Sequence, residues 1–308
     1  MRFQLIAIKT ARPALSDTSE YVIWMLSISK NKIRFRQNMT RRIQLPLSLL
    51  LLLLLLLLNF EAELVAGEFS WCDPQLCNEG TRHVACNNTG KFNDSCSEDA
   101  VMINLQPHRD FILAEHNKRR NFIAAGHLPG YYPAARMATM IWDEELEYLA
   151  TLNLKTCDLE HDECNNSYRF RNVGQNLCGV DRPRNAPLDV RGIVVNSMGL
   201  WFGEYPLIDS SYITQFRVAR HLDKYGHFAE TVVDRNTHVG CAMMRFTNPQ
   251  YPFLYIYNMA CNYASTYAVG VHVYKVGEPA SECLTGANPK YPALCSIKEQ
   301  YNPNYNEY

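Results

Sequence analysis

Apolar residues recur every three or four positions in three stretches of the chain, a spacing typical of amphipathic helices. The first predicted helix begins after Pro107 and ends at Gly126. Its inner stripe consists of Ile112, His116, Arg119 and Ile123. We expect His116 and Arg119 to form a buried polar network that anchors the helix rather than a ligand site.

The other two predicted helices begin near Asp143 and Pro187. Asp143 can cap the second helix, because a carboxylate accepts backbone N–H bonds at a helix start. The inner face of this helix consists of Leu146, Leu149, Ala150, Asn153, Leu154 and Cys157. The third helix extends to about Tyr205, and Glu204 shares its inner face with Trp201. An inward carboxylate is costly to desolvate, so we expect a partner beside Glu204.

From His238 onward the apolar period changes to two, which predicts β-strands over residues 238–243, 253–261 and 269–273. If the first two strands form a hairpin around Tyr251, Cys241 and Cys261 lie equally far from its centre. Directly opposed residues of an antiparallel pair have Cα atoms about 4.5–5.5 Å apart, which is within reach of a disulfide. The register therefore predicts a bridge between these two cysteines.

The order of helices and strands predicts an α+β domain in which helices cover a mainly antiparallel sheet. Residues 68–106 hold four cysteines and no sustained apolar period, so we expect a loop-rich segment held by disulfides. The predicted organisation is a leader over 1–67, this cysteine-rich segment, a main domain over 107–276 and a C-terminal tail over 277–308.

Residues 45–58 are almost pure leucine, follow Arg41 and Arg42, and precede small residues, as in a secretory signal peptide. The run has 14 residues. A spanning helix needs roughly 20, so a retained membrane anchor is the weaker alternative. Met39 begins a segment of ordinary signal-peptide proportions, which makes it a candidate start site and residues 1–38 an upstream extension. We therefore predict a secreted product with no membrane attachment after signal removal.

All 11 cysteines follow the leucine run, as expected for a protein that folds in an oxidising compartment. Three Asn-x-Ser/Thr triplets, beginning at Asn87, Asn93 and Asn165, each predict a surface glycan in a secreted product. The net charge of −1 provides no field that would gather nucleic acid, which excludes it as an expected partner. We expect a monomer.

Several short motifs follow one another in order along residues 72–276. They are residues 115–120 (EHNKRR), 142–146 (WDEEL), 157 with 161–164 (HDEC), 174–176 (GQN), 201–204 (WFGE), 226–228 (GHF), 238–242 (HVGCA) and 257–263 (YNMACNY). Together they resemble the CAP superfamily of cysteine-rich secretory, antigen 5 and pathogenesis-related proteins, and specifically its insect antigen 5 branch. The resemblance implies an α-β-α sandwich with a central cleft.

The resemblance also implies a set of disulfides. The antigen 5 pattern corresponds to Cys72–Cys86, Cys77–Cys164, Cys96–Cys157 and Cys241–Cys261, and the last pair agrees with the hairpin register. Cys283 and Cys295 are then left to pair locally in the tail. Cys178 is the odd cysteine, for which a buried, inert thiol is favoured over an intermolecular bridge.

The cleft of the family is lined by two histidines and two acids, and the matching positions are His161, Gln175, Glu204 and His227. Gln175 stands where many members have glutamate, although the antigen 5 branch commonly has glutamine. Two imidazoles and one carboxylate could hold zinc weakly, with water or Gln175 as the fourth ligand, and no cofactor is required. Residues 228–234 depart from the usual threonine, glutamine and later tryptophan, which puts in doubt any function that needs a hydroxyl beside His227.

The resemblance implies a non-enzymatic extracellular module that binds a small lipid or sterol between its helices or a protein partner through its loops. The alternative is a weak hydrolase in which His161, His227 and Glu204 activate water or a nucleophile. The sequence has no His-Glu-x-x-His motif, no Gly-x-Ser-x-Gly elbow and no cysteine in a setting that suggests a reactive thiolate. We therefore assign no catalytic residue.

Overall fold

A computed structural model of the chain describes residues 70–218 and 225–304. These residues belong to one compact unit, 69–308. The leucine run at 45–58 and the candidate start at Met39 lie outside the described residues. Within the described ranges, no helix is long and apolar enough to cross a bilayer.

Three helices form where the apolar spacing predicts them. They are α1 (Arg109–Ala124), α2 (Glu144–Leu154) and α3 (Val190–Phe202). Asp143 caps α2, because its Oδ1 accepts a hydrogen bond from the Leu146 N–H at 3.0 Å. Two shorter helices, α4 (Ser210–Thr214) and α5 (Gly226–Val232), follow, and 3₁₀ turns cover Gln106–His108 and Tyr205–Leu207.

The sheet is built from three long strands and two short ones. The strands are β1 (Val101–Met102), β2 (Ile141–Trp142), β3 (Gly174–Pro183), β4 (His238–Thr247) and β5 (Leu254–Tyr263). The antiparallel order is β1-β4-β5-β3, and β2 pairs in parallel with β4. Cys241 lies opposite Cys261 and forms a disulfide with it, with a Cα–Cα distance of 4.1 Å. The hairpin register is thus the predicted one.

The predicted strand over 269–273 does not form, and this prediction was wrong. The Val273 N–H donates to the Ile213 carbonyl, and the Val271 carbonyl accepts from the Phe216 N–H. Val271 and Val273 are buried against the α4 and α5 region rather than paired with the sheet. Alternating burial here results from packing on helices, a pattern that period two alone cannot distinguish from a ladder.

Helices pack on both faces of the sheet. On one face, α1 and α3 cover residues such as Met259 and Tyr263, with Trp201 in the same cluster. On the other face, Ala150 and Leu154 of α2 pack against the sheet. The predicted α+β class and three-layer sandwich are confirmed.

Five disulfides join ten cysteines in the pairs expected above. They are Cys72–Cys86, Cys77–Cys164, Cys96–Cys157, Cys241–Cys261 and Cys283–Cys295. Cys178 is a free thiol in the described ranges. Burial raises its pKa to about 11, so it stays protonated and unreactive at neutral pH.

The C-terminal segment is part of the core. Leu294 is fully buried in the cluster that contains Phe228 of α5, and the Cys295 N–H donates to the Met137 carbonyl. Glu299 accepts hydrogen bonds from the Arg136 side chain and the Thr285 N–H. The tail is therefore pinned to the sandwich by both apolar and polar contacts.

Three buried polar residues of α1 lie together with one residue of β5. We call this group the sealed cluster: His116, Asn117 and Arg120 of α1 and Tyr263 of β5. Arg120 is fully buried and donates to the carbonyls of Ala138, Thr231, Val233, Asp234 and Asn236. The predicted Arg119 instead lies at the edge of the helix face, in an ion pair with Glu115 at 2.6 Å. The anchoring arginine was therefore misplaced by one residue, which corresponds to about 100° around a helix.

Candidate functional site

The predicted site residues lie at the end of the sheet where β3 begins and β5 ends. In the register, Gly174 is opposite Tyr263 and Gln175 is opposite Asn262. His161 comes from the loop after α2, and His227 from α5. Both histidines line a cavity of about 490 Å³, which we call the cleft. Gln175 lines the cleft as well, while Glu204 lies beside His227 after α3.

Glu204 holds His227 in one orientation. The Nδ1 of His227 lies 2.7 Å from Oε1 of Glu204, and the Phe228 N–H donates to Oε2 at 3.0 Å. Because a carboxylate only accepts, Nδ1 carries the proton, and Nε2 of the neutral ring keeps its lone pair. His227 is therefore the partner expected beside the inward-facing Glu204.

Gln175 orients His161 in a similar way. Its Oε1 accepts from Nδ1 of His161 at 3.0 Å and from the Asp162 N–H at 3.2 Å. Its Nε2 donates to Asp162 Oδ2 at 2.7 Å and to Asn262 Oδ1 at 3.0 Å. The amide is therefore fully occupied, and Nε2 of His161 also keeps its lone pair.

The two imidazoles lie next to each other. Their ring centroids are 6.4 Å apart, with 33° between the ring planes. Neither Nε2 atom accepts a hydrogen bond from the described residues, whereas both Nδ1 atoms are engaged. The cleft thus presents a pair of imidazole lone pairs, each held in place by a hydrogen bond on the far side of the ring.

Two acidic residues of the cleft were not predicted as site residues. Burial raises the pKa of Asp162 to about 6 and that of Glu230 to about 7. Glu230 fills the space beside Gly174, where an added Cβ would lie 2.2 Å from Oε1. The signal for Asp162 is its adjacency to His161, and that for Glu230 is its place in the segment that departs from the family pattern.

The hydroxyl of Thr266 in the cleft and that of the buried Thr231 behind His227 donate to other acceptors. Thr231 Oγ1 donates to the His227 carbonyl at 2.9 Å, and Thr266 Oγ1 donates to Oε2 of Glu230 at 2.7 Å. A nucleophilic hydroxyl must instead donate to an imidazole that takes its proton. Among the described residues, neither threonine is arranged in this way.

Asn165, one of the three predicted glycan positions, is buried rather than on the surface. Asn165 is 6% exposed, lines the cleft and donates from Nδ2 to Asn262 Oδ1 at 3.4 Å. A glycan on this nitrogen would replace its hydrogen bond to Asn262. Asn87 and Asn93 are exposed on the cysteine-rich segment.

Two groups of side chains contain residue types that bind metals. His116 lies near the sulfurs of Cys241 and Cys261, but these sulfurs are joined in a disulfide and provide no thiolate. His161 and His227 fit a divalent ion better, because each Nδ1–H is hydrogen-bonded, as is usual for ligating histidines. With only two protein nitrogens, such an ion would rely on water or a bound partner for its other positions.

The sequence and fold match known proteins. The model of the cysteine-rich secretory protein family, CAP, matches residues 113–263. Venom allergen-1 of Aedes aegypti is 32% identical over 232 residues and that of Aedes albopictus 34% over 233, each alignment covering 75% of this chain and 89% of the relative. The crystal structure of Na-ASP-1 aligns with a TM-score of 0.50 and 23% identity over 65% of this chain and 52% of the other, which supports the fold alone.

Proposed function

We propose, from the premise that this chain belongs to the cysteine-rich secretory protein (CAP) family, that it is a secreted, non-enzymatic module that binds an extracellular partner at the cleft. The leucine run at 45–58 supports secretion, and so do the five disulfides, since such bonds persist outside the cytosol. N-terminal sequencing of the mature product tests this part. A product that retains residues 45–58 would contradict it.

The observation that carries the proposal is the pair of open Nε2 atoms. Glu204, Gln175 and Thr266 already form hydrogen bonds with neighbouring residues. The Nε2 atoms of the two imidazoles accept no hydrogen bond from the described residues and are open to a ligand. The cleft therefore favours a hydrogen-bond donor, such as a polar segment of a protein partner, or a weakly held divalent ion.

Zinc is a direct probe of this site. Calorimetric titration of the wild-type protein should give binding heat that the double variant His161→Ala, His227→Ala loses. His127→Ala is the matched control, because His127 is an exposed histidine outside the cleft. Equal heats in the wild type and the double variant would remove the metal part of the proposal.

The alternative is a hydrolase, and the His227–Glu204 pair is the observation that favours it. A carboxylate that orients an imidazole is the arrangement of a general base. Protein starting at Glu68 should be tested on a panel of peptides and esters. Turnover that His227→Ala abolishes without loss of fold would overturn the non-enzymatic proposal.

A small lipid or sterol is a second candidate ligand, because a groove of about 560 Å³ lies along α3. Val180, Val195 and Leu200 line it together with Arg119, and Leu200 is 56% exposed. Mass spectrometry of a solvent extract of the purified protein tests this candidate. An extract without lipid, together with undetectable sterol binding, would leave protein partners as the proposed ligands.

A further inference from the structure

Two arginines lie over the ring of one tyrosine, and a third is its strand partner, at the end of the sheet remote from the cleft. The guanidinium groups of Arg184 and Arg245 lie 4.9 and 4.3 Å from the centre of the Tyr255 ring. Arg182 is the partner of Tyr255 in the β3–β5 register. With about 3.3 Å per strand residue, Arg182 lies about 23 Å from Gln175 along β3.

None of these arginines forms an ion pair with a carboxylate in the described parts of the chain. Arg182 donates to the Asp181 carbonyl, and Arg184 donates to the Pro252 carbonyl. The side chain of Arg245 donates to no described acceptor, and its Nε is buried without a partner. Guanidinium groups that no carboxylate of the chain neutralises can pair with the carboxylates of an external partner.

Exposed aromatic residues adjoin the arginines. Phe253 is 66% exposed and Tyr251 is 50% exposed, and their rings are 6.0 Å apart in an edge-to-face pair. The Phe253 carbonyl accepts from the Arg184 N–H at 2.9 Å, which joins the aromatic tip to the arginines. We call this surface the arginine–aromatic patch: Arg182, Arg184, Arg245, Tyr251, Phe253 and Tyr255. Arginine and aromatic residues are the types enriched at protein interfaces.

Charge decides the class of partner. From residue 70 to the end, the chain has five more acidic than basic side chains. This excess provides no long-range attraction for an anion, so an anionic partner must rely on local contacts with the arginines. A short acidic segment of a protein makes such contacts, because the arginine fork matches a carboxylate in two parallel hydrogen bonds.

We propose that the arginine–aromatic patch is a docking surface for an acidic segment of an extracellular protein. Carboxylates of the segment bind Arg184 and Arg245, and its apolar side chains pack on Tyr251 and Phe253. Asp99 is the nearby acid that interacts electrostatically with Arg184, but its oxygens already accept from Thr247 and Ser97. The surface is independent of the cleft.

A fluorescent peptide of alternating glutamate and leucine tests the proposal against the same peptide with glutamine for glutamate. We expect the glutamate peptide to bind, and the double variant Arg184→Gln, Arg245→Gln to weaken binding about ten-fold or more. Arg171→Gln is the matched control, because Arg171 also lies over a tyrosine ring, that of Tyr168. It should bind as the wild type does, and His227→Ala should too.

Equal binding of the two peptides, or equal losses in the double variant and Arg171→Gln, would overturn the proposal. Retention on heparin that depends on Arg245, without binding of the glutamate peptide, would also overturn it in favour of a sulfated polysaccharide. Thermal melting of each variant shows whether the fold persists. If Arg245→Gln unfolds the protein, Phe253→Ala, at an exposed position, should still weaken binding of the glutamate peptide.

Discussion

The sealed cluster and the cleft both contain histidines, but the ring nitrogens of these histidines are bonded differently. In the sealed cluster, Nδ1 of His116 donates to the Ile112 carbonyl and its Nε2 accepts from the Tyr263 hydroxyl, so both ring nitrogens are satisfied. In the cleft, His161 and His227 each have one nitrogen satisfied and one open. A histidine with both nitrogens satisfied stabilises the fold, whereas one with an open nitrogen is available to a ligand.

Helix α5 links the two clusters. The Thr231 carbonyl accepts from Arg120, while His227 and Glu230 face the cleft. The comparison therefore separates two roles on one short helix. It predicts that changes in the sealed cluster alter stability and that loss of an open imidazole nitrogen alters binding.

The largest effect is expected from Arg120→Met. This substitution leaves several buried carbonyls without a donor and should lower the free energy of unfolding by about 3–5 kcal/mol. Arg119→Met is the neighbouring control, and the loss of its partly exposed ion pair should cost about 1 kcal/mol or less. Urea unfolding measures both. Equal losses would contradict the distinction between the two arginines.

Glu230→Gln should change the pH dependence of stability. The pKa of Glu230 is raised from 4.5 to about 7, so the fold favours the protonated acid, and stability is lost as pH rises through this range. Above pH 7 the glutamine variant should be more stable than the wild type by an amount on the order of 2–3 kcal/mol.

Thermal unfolding across pH measures this difference. Glu282→Gln is the control, because Glu282 is substantially exposed and pairs with Lys275. Its stability profile should keep the slope of the wild type. A Glu230→Gln profile parallel to that of the wild type would show that the carboxyl is not held in its neutral form.

Tyr263→Phe removes a single hydroxyl from the sealed cluster. The hydroxyl donates to Nε2 of His116 at 3.0 Å and accepts from Asn176 at 3.3 Å. Its removal should cost about 1–2 kcal/mol of unfolding free energy and leave zinc heats unchanged. Tyr132→Phe, at an exposed position, should change neither quantity. A loss of zinc binding in Tyr263→Phe would contradict the separation of the sealed cluster from the binding site.

His161→Gln should have the smallest effect on stability and a clear effect on binding. The residue is exposed, so the free energy of unfolding should change by about 0.5 kcal/mol or less. Zinc heat should fall, since one of the two open nitrogens is removed. Unfolding and calorimetry on the same sample compare the two quantities. A large stability loss with intact binding would place His161 among the structural residues.

The glycan positions give a test that requires no substitution. Peptide mapping of the protein from its natural source should find sugar at Asn87 and Asn93. We expect Asn165 to be unmodified, because its Nδ2 is bonded inside the cleft wall. Occupied Asn165 would mean that this wall opens during folding or in the mature protein.

Much of the fold was predictable because its signals are local. Apolar spacing predicted α1, α2 and α3, and the symmetric positions of Cys241 and Cys261 predicted the hairpin register. The motifs around His161, Gln175, Glu204 and His227 indicated which residues share the cleft. These predictions depend on spacing along the chain or on a resemblance that the sequence itself displays.

The remaining features depend on contacts between distant segments, and only the tertiary structure decided them. It buried Arg120 rather than Arg119 because the acceptor carbonyls come from the loops before β2 and before β4. It placed Glu230 against Gly174 and buried Asn165 in the wall of the cleft. The sequence alone determined α1, α2, α3 and the β4–β5 hairpin, since backbone preference and apolar period are local. The structure determined which polar atoms find partners, since a hydrogen bond depends on where two separate segments meet.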